Sequence, residues 1–320
     1  MKINYIGISY TTFLHNSNWT IEQKTDGIIY FIEKIFFANL IPVENQLYII
    51  FFPEYTFSGE CKSYVWHDKK KDCLNKLKLL IENLKKHKII LIASTIPSAK
   101  DFLPKHKSRY EAHVNFLLSN SNSISDNLFS DSLYDIKIKN SLYVIASPQN
   151  ILTIQDIINL NNKEKKSKIV GKYSKIQPFY EYNRAKNLNN FYLSDDFNLY
   201  TGKTVFQPGN FQDSVCNLAI INPYQHLSLF FSICADFTFK VNHSHLYKFG
   251  KIFPNEIMFI LSDYITLDRK DFFTNTVIHM DTYHGLTVYL KNNSLKNKYF
   301  HFEIHGKNQY IKKPCNMVHI

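Results

Sequence analysis

Three side chains that could act together on a carbonyl or nitrile carbon each stand beside a short apolar segment. Glu54 directly follows the run LYIIFFP, Lys175 lies in the run YSKI, and Cys234 lies in the run SICAD. A thiol with its ordinary pKa is only slightly ionised at neutral pH, so a Cys234 nucleophile would need a base. Glu54 is the natural candidate for that base, and Lys175 could stabilise the negative charge that develops on attack. The set predicts thiol-dependent covalent chemistry.

Each of the three residues also has a structural interpretation when it is taken alone. Cys234 could be a small buried hydrophobe, since free cysteine is among the most buried residue types. Glu54 could be a turn carboxylate, and Lys175 could be one surface lysine among many, with Lys172 as a nearby rival. The catalytic interpretation therefore depends on the ordered set and on the strand ends, where rigid backbone meets a crevice in α/β folds.

In this order and in these contexts, the motifs resemble those of the nitrilase, or carbon–nitrogen hydrolase, superfamily. That family has a Phe-Pro-Glu after its second strand, a Tyr-x-Lys before an apolar residue and an Ile-Cys-x-Asp after a strand. The matching segments here are 52–54, 173–175 and 233–236, with weaker matches at 140–142 and 205–209. The resemblance extends from about residue 3 to residue 305, which is nearly the whole chain.

The resemblance implies a four-layer α-β-β-α sandwich of the nitrilase type, an α/β fold, with a Glu-Lys-Cys triad formed by Glu54, Lys175 and Cys234. It implies hydrolysis of a non-peptide carbon–nitrogen bond, in a small amide, through a thioester on the cysteine. Glu181 resembles the family's second glutamate, which orients the lysine or the water.

Two further residues beside the cysteine are expected to support it. The backbone N–H near Ala235 would help Lys175 to stabilise the negatively charged adduct. Asp236 would hold the cysteine loop by hydrogen bonds rather than transfer protons. The chemistry requires neither a metal nor an organic cofactor, and the family resemblance makes a homodimer possible.

The sequence departs from the family pattern in ways that bear on the substrate. Glu54 and Lys175 are 121 residues apart, which is longer than usual. The excess lies in insertions around 98–140 and 150–170, which we expect at the pocket rim, where substrate choice is made. Gln177 stands where many members have His, and Ala235 stands where true nitrilases have Trp, which favours amide over nitrile hydrolysis.

Several alternatives stay open at this stage. Nitrile hydrolysis and acyl transfer could use the same three residues, although the acyltransferases of this superfamily carry membrane-spanning helices and this sequence has no apolar run of that length. A protein that keeps the fold for binding and has lost turnover is an alternative of another class. The insertions, Gln177 and the basic surface are the reasons for considering this binding alternative, which ranks below the hydrolase.

The elements that must position the motifs alternate between strands and helices. Apolar runs predict strands at 3–10, 47–52, 89–95, 141–147, 216–221, 227–233, 257–262, 286–290 and 299–305. Helical spacing predicts helices from Asp26 to about Leu40, over 69–87, around 243–250 and over 270–284. Strands that alternate with helices favour an α/β sandwich, and the absence of a break in composition favours a single domain over 1–320.

Composition limits the partners and the compartment. The formal net charge is +11, yet the lysines are dispersed and only three arginines are present, which does not favour nucleic acid as a partner. The five cysteines form no CxxC pair, and the histidines show no metal-ligand spacing such as HExxH. We therefore expect free thiols, no bound metal, no membrane span and a cytoplasmic location.

Overall fold

A computed structural model describes residues 1–15, 17–62, 64–101, 136–147, 151–153, 168–176, 204–206, 208–221, 224–241, 243–252, 256–265, 267, 272–291, 297–306 and 308–319. The strands, in chain order, are β1 (Lys2–Tyr10), β2 (Gln46–Phe51), β3 (Val65–Trp66), β4 (Lys88–Asp101), β5 (Ile136–Ala146), β6 (Ile151–Thr153), β7 (Lys168–Ser174), β8 (Thr204–Phe206), β9 (Val215–Ile220), β10 (Gln225–Ile233), β11 (Ile257–Ser262), β12 (Thr276–Asp281), β13 (Gly285–Leu290), β14 (Lys298–Gly306), β15 (Gln309–Lys313) and β16 (Asn316–His319). The α-helices are α1 (Thr12–His15), α2 (Ile21–Tyr30), α3 (His67–Asn83), α4 (Ala235–Thr238) and α5 (His243–Ile252).

The strands form two mixed sheets. The first sheet has the order β15-β14-β1-β2-β4-β5-β7, with β3 beside β4 and β8 beside β5. The second sheet has the order β16-β13-β12-β11-β10-β9-β6. Of the strands that end at the motifs, β2 and β10 lie inside their sheets, whereas β7 is the last strand in the order of the first sheet. Strands β1, β2 and β4 run parallel, as do β10, β11 and β12. The mixed α/β class predicted from the sequence is confirmed.

One core cluster is built from residues of both sheets. Leu47, Ile49 and Phe51 of β2 belong to the same cluster as Phe231 of β10 and Phe259 of β11. The Phe51 and Phe259 rings lie 5.3 Å apart between centroids, in an edge-on arrangement that aromatic pairs favour. The two sheets therefore face each other across this apolar layer.

Helices cover the other face of each sheet. Apolar side chains of α2 and α3, among them Ile28 and Leu77, pack with Ile50 and Leu91 on the first sheet. On the second sheet, Leu246 of α5 packs in a separate cluster with strand residues. None of the helices in the described residues is long and apolar enough to span a membrane.

Two of the predicted helices were wrong in position or in kind. The first helix begins after Thr20, because Thr20 and Gln23 form a capping box, and Asp26 lies inside it. It continues as a π-helix over Phe31–Phe36. The predicted helix over 270–284 is instead β12 and the turn into β13, with Gly285 at φ 72°. Pairing of β12 with strands on both sides outweighs the helical spacing of its apolar residues.

The two predicted insertions are partly strands. Residues 98–101 extend β4 and residues 136–140 begin β5, and the two stretches pair antiparallel. In the second insertion, β6 and the start of β7 are strands. The remaining parts, 102–135, 150 and 154–167, lie outside the described residues. Their predicted place at the pocket rim stays a prediction.

Candidate active site

Glu54, Lys175 and Cys234 come together although they are far apart in the chain. Each follows the end of a strand: Glu54 follows β2, Lys175 follows β7 and Cys234 follows β10. The Lys175 Nζ lies 2.9 Å from the Glu54 Oε1, and both side chains are fully buried. All three residues line one cavity of about 630 Å³. The structure thus brings the predicted nucleophile, base and cation to one place.

The surroundings of the Cys234 thiol favour its protonated form. Burial raises the pKa of the thiol well above its ordinary value, and the neighbouring Glu54 carboxylate raises this pKa further. The Lys175 ammonium and the Asp263 backbone N–H act in the opposite direction. Because the Glu54 carboxylate lies near enough to act on this pKa and lines the same cavity, it is the candidate acceptor of the thiol proton.

The backbone at Cys234 is strained. Its φ of 42° and ψ of −105° are unusual for a residue with a side chain, and they make a sharp turn from β10 into α4. The Cys234 N–H donates to the Leu261 carbonyl at 3.0 Å, which ties this turn to β11. Ala235 is the first residue of α4, so its N–H has no acceptor within the helix and can face a ligand in the cavity that it lines.

Strain is concentrated around this cavity. Five non-glycine residues have positive φ in the described part of the chain, and four of them line the cavity. These four are Tyr55, Lys62, Cys234 and Tyr264. Strained residues persist only where the surrounding structure holds them, and they cluster at functional sites. This concentration makes the cavity a candidate functional site independently of the residue types.

A bulge in β4 holds the Glu54 segment. The register of β4 against β5 shifts between Ala93 and Ile96, at Ser94 and Thr95. Ser94 donates its hydroxyl proton to the Pro53 carbonyl, and Thr95 accepts from the Tyr55 N–H at 3.0 Å. Bulges commonly redirect side chains near active sites, and this one fixes the backbone on both sides of Glu54.

Asn140 contributes a second donor to the base. Its side-chain amide donates to the Glu54 Oε1 at 3.1 Å, the same oxygen that Lys175 contacts. Its backbone carbonyl accepts from the Lys175 N–H at 2.9 Å. A polar residue beside the apolar run of β5 could have marked Asn140 as a candidate site residue, but the sequence did not indicate that it contacts Glu54.

Asp236 connects the lysine segment to the cysteine turn. Its fully buried carboxylate accepts a 2.6 Å hydrogen bond from the Tyr173 hydroxyl. It also accepts from the Ile176 N–H at 3.0 Å. Burial and the Asp236 charge raise the pKa of Tyr173 well above its usual value, so the phenol keeps its proton and donates it.

Gly209 packs against the lysine segment from the other side. Its N–H donates to the Lys175 carbonyl at 3.0 Å. A side chain at this position would begin only 2.0 Å from the Ser174 carbonyl oxygen, so only glycine fits. Glu181 and Gln177 lie outside the described residues.

A buried network shapes the opposite wall of the cavity. The Asp281 Oδ2 accepts from the Ser262 hydroxyl at 2.6 Å and from the Tyr264 N–H at 2.8 Å. The Asp281 Oδ1 accepts from the Tyr283 N–H at 2.9 Å. His279 hydrogen-bonds to the Ser262 hydroxyl through Nε2 at 2.7 Å. This network fixes the backbone of Tyr264 and Tyr283, two residues that line the cavity.

Comparison with known proteins adds no family to these observations. No protein-family model matches the chain, and no curated protein matches it significantly.

Proposed function

We propose that the protein is a thiol-dependent amidohydrolase of the nitrilase type that cleaves a carbon–nitrogen bond in a small, non-peptide amide. The observation that carries the proposal is the convergence of Cys234, Glu54 and Lys175 in one cavity, with 2.9 Å between the lysine and the glutamate. Two facing sheets with helices on their outer faces support the four-layer sandwich that the motifs imply.

The first half of the proposed reaction forms a thioester. The Cys234 sulfur attacks the amide carbon while its proton passes to Glu54. The oxygen of the adduct becomes negatively charged beside the Lys175 ammonium and the Ala235 N–H. When the adduct collapses, the carbon–nitrogen bond breaks and Glu54 returns the proton to the leaving nitrogen. Ammonia or an amine departs, and the acyl group stays on sulfur.

The second half releases the acid. Glu54 takes a proton from a water molecule as the water oxygen attacks the thioester carbon. Collapse of this second adduct breaks the carbon–sulfur bond, and Glu54 reprotonates the sulfur. Lys175 stabilises the oxygen charge in both halves, and the resting site is restored without a metal or cofactor.

A partitioning experiment tests this proposal. Purified protein is incubated with a set of simple amides and nitriles, with and without hydroxylamine, and the products are identified by mass spectrometry. A thioester intermediate predicts ammonia release from an amide, and an acyl hydroxamate when hydroxylamine competes with water. Cys234→Ala should abolish both products, and Cys315→Ala, which changes a thiol outside the cavity, should retain them.

The other outcomes separate the alternatives. If the protein forms acid from nitriles and not from amides, it is a nitrile hydrolase rather than an amidohydrolase. Product formation that depends on an added amine would indicate acyl transfer. If the wild-type protein binds amides but forms neither acid nor hydroxamate from any of them, the binding alternative replaces the enzyme.

A further inference from the structure

A second ion pair lies in the cavity beside the nucleophile. Lys62 and Asp263 contact each other at 2.7 Å between Nζ and Oδ2, and each side chain is only 11% exposed. Both residues line the same cavity as Cys234. The pair also lies near the nucleophile, because the Asp263 backbone N–H lowers the pKa of the Cys234 thiol.

The charges on the described wall of the cavity balance in pairs. Lys175 is paired with Glu54, and Lys62 is paired with Asp263. The other described lining residues carry no formal charge, and they are Tyr55, Ala235, Thr238, Phe239, Tyr264, Ile265 and Tyr283. A charged group that enters such a cavity loses its hydration and meets no counter-charge that is not already engaged.

The uncharged part of the wall is aromatic and open to a ligand. The Tyr264 and Tyr283 rings lie 5.1 Å apart in an edge-on arrangement, and Tyr264 is 68% exposed. The Lys62 Nζ lies 5.5 Å from the centre of the Tyr283 ring, so the ion pair also supports this wall. Exposed aromatic side chains beside a cavity favour contact with an apolar or flat group.

We propose that the Lys62–Asp263 ion pair makes the cavity selective for amides whose acyl part is uncharged and largely apolar. The inference rests on the proposed amidohydrolase function and names the substrate class for that site. Lys62 and Asp263 act here as specificity residues, because they exclude charged acyl groups by neutralising each other.

Three amides of one length test the proposal, with a methyl, a carboxylate or an ammonium group at the far end. The wild-type protein should prefer the methyl amide in kcat/KM by at least tenfold over either charged amide. Asp263→Asn leaves the lysine without this carboxylate, so preference should shift at least tenfold toward the carboxylate amide. Lys62→Met should shift it toward the ammonium amide by a similar factor. The double variant should return the preference to the methyl amide.

Binding measurements separate this inference from the proposed reaction. Dissociation constants for the three amides are measured by NMR titration in a Cys234→Ala background, which needs no turnover. In this background too, the methyl amide should bind most tightly. Asp263→Asn should shift the binding preference toward the carboxylate amide, and Lys62→Met should shift it toward the ammonium amide. If these preferences appear and the wild type releases no ammonia, the hydrolysis proposal is wrong and the selectivity stands. Equal preferences in all variants, or a wild type that favours a charged amide, would overturn the selectivity.

Discussion

The Tyr173 hydroxyl donates a 2.6 Å hydrogen bond to the Asp236 carboxylate, and this bond joins the strand before Lys175 to the turn that carries Cys234. Tyr173 belongs to the first sheet and Asp236 follows the second, so the contact crosses between them. A carboxylate can accept from both Tyr173 and the Ile176 N–H, whereas an amide side chain presents a donor on one side.

Asp236→Asn should therefore weaken both stability and turnover. Replacing one acceptor with a donor leaves a buried donor facing another, which costs about 1–3 kcal/mol in the free energy of unfolding. We also expect kcat to fall at least tenfold, since Lys175 and Cys234 lose their common support. Urea denaturation and ammonia release measure the two effects. The exposed Asp213→Asn is the matched control and should change neither.

Lys175 and Lys172 provide a second test, because they are three positions apart in the same segment and differ in burial. Lys175 is buried against Glu54, and Lys172 is exposed with its Nζ 5.7 Å from the centre of the Tyr143 ring. Lys175→Met should cost about 3–5 kcal/mol in the free energy of unfolding, because it leaves a buried carboxylate without its cation.

The same variant should lose more than a hundredfold in kcat, since the adduct loses its cationic partner. Lys172→Met should keep both kcat and the unfolding midpoint close to wild type. Equal losses in the two variants would contradict the assignment of Lys175 to the site.

The acidity of the Cys234 thiol gives a prediction in which the thiol pKa and the rate of amide hydrolysis respond differently to the same substitution. The Glu54 charge raises the pKa of the thiol and the Lys175 charge lowers it. Glu54→Gln should therefore lower this pKa and speed the reaction of Cys234 with iodoacetamide at pH 7, even though amide hydrolysis falls. Lys175→Met should slow the alkylation.

Peptide mapping by mass spectrometry measures the alkylation of each cysteine separately. The buried Cys73 and Cys216, whose thiols have pKa values raised to about 12, serve as internal references and should react slowly in every variant. A Cys234 pKa that is not lowered in Glu54→Gln, measured from the pH dependence of alkylation, would show that the carboxylate does not act on the thiol as described.

The buried His279 ring makes the free energy of unfolding depend on pH. Burial lowers the pKa of His279 to about 4, so the folded protein keeps the ring neutral while the unfolded chain takes up a proton below about pH 6.5. Stability is therefore retained above pH 6.5 and lost as the pH falls toward 4.

His279→Gln removes this proton uptake. Between pH 7 and pH 5, the unfolding free energy of the wild type should fall by about 2 kcal/mol more than that of the variant. Urea denaturation at several pH values measures the difference. The exposed His319→Gln is the control and should follow the wild-type curve, whereas an identical curve for His279→Gln would contradict a neutral buried ring.

The sequence predicted the strand ends better than it predicted what surrounds them. Apolar runs located β2 and β10 within a residue or two, and so placed Glu54 and Cys234 directly after strands. The helix predicted over 270–284 was wrong because pairing partners distant in the chain decide whether that segment becomes a strand.

Long-range contacts also explain what the sequence did not reveal at the site. Asn140 contacts Glu54 across 86 residues, and Lys62 contacts Asp263 across 201. No local spacing indicates such pairs. The positive φ of Tyr55 and Tyr264 was equally invisible, since tyrosine has no preference for that conformation. Residues next to apolar strands can be predicted as candidates, whereas their partners require the assembled sheets.

The proposed reacting groups are divided between the two sheets, with Glu54 and Lys175 at one and Cys234 at the other. Neither sheet alone holds the proposed nucleophile together with its proposed base. A small sliding or parting of the two sheets would separate the Cys234 sulfur from the Glu54 carboxylate, while every strand stayed hydrogen-bonded to its neighbours. When the protein is progressively destabilised, turnover should therefore be lost, through separation of the two sheets, before circular dichroism shows any loss of strand structure.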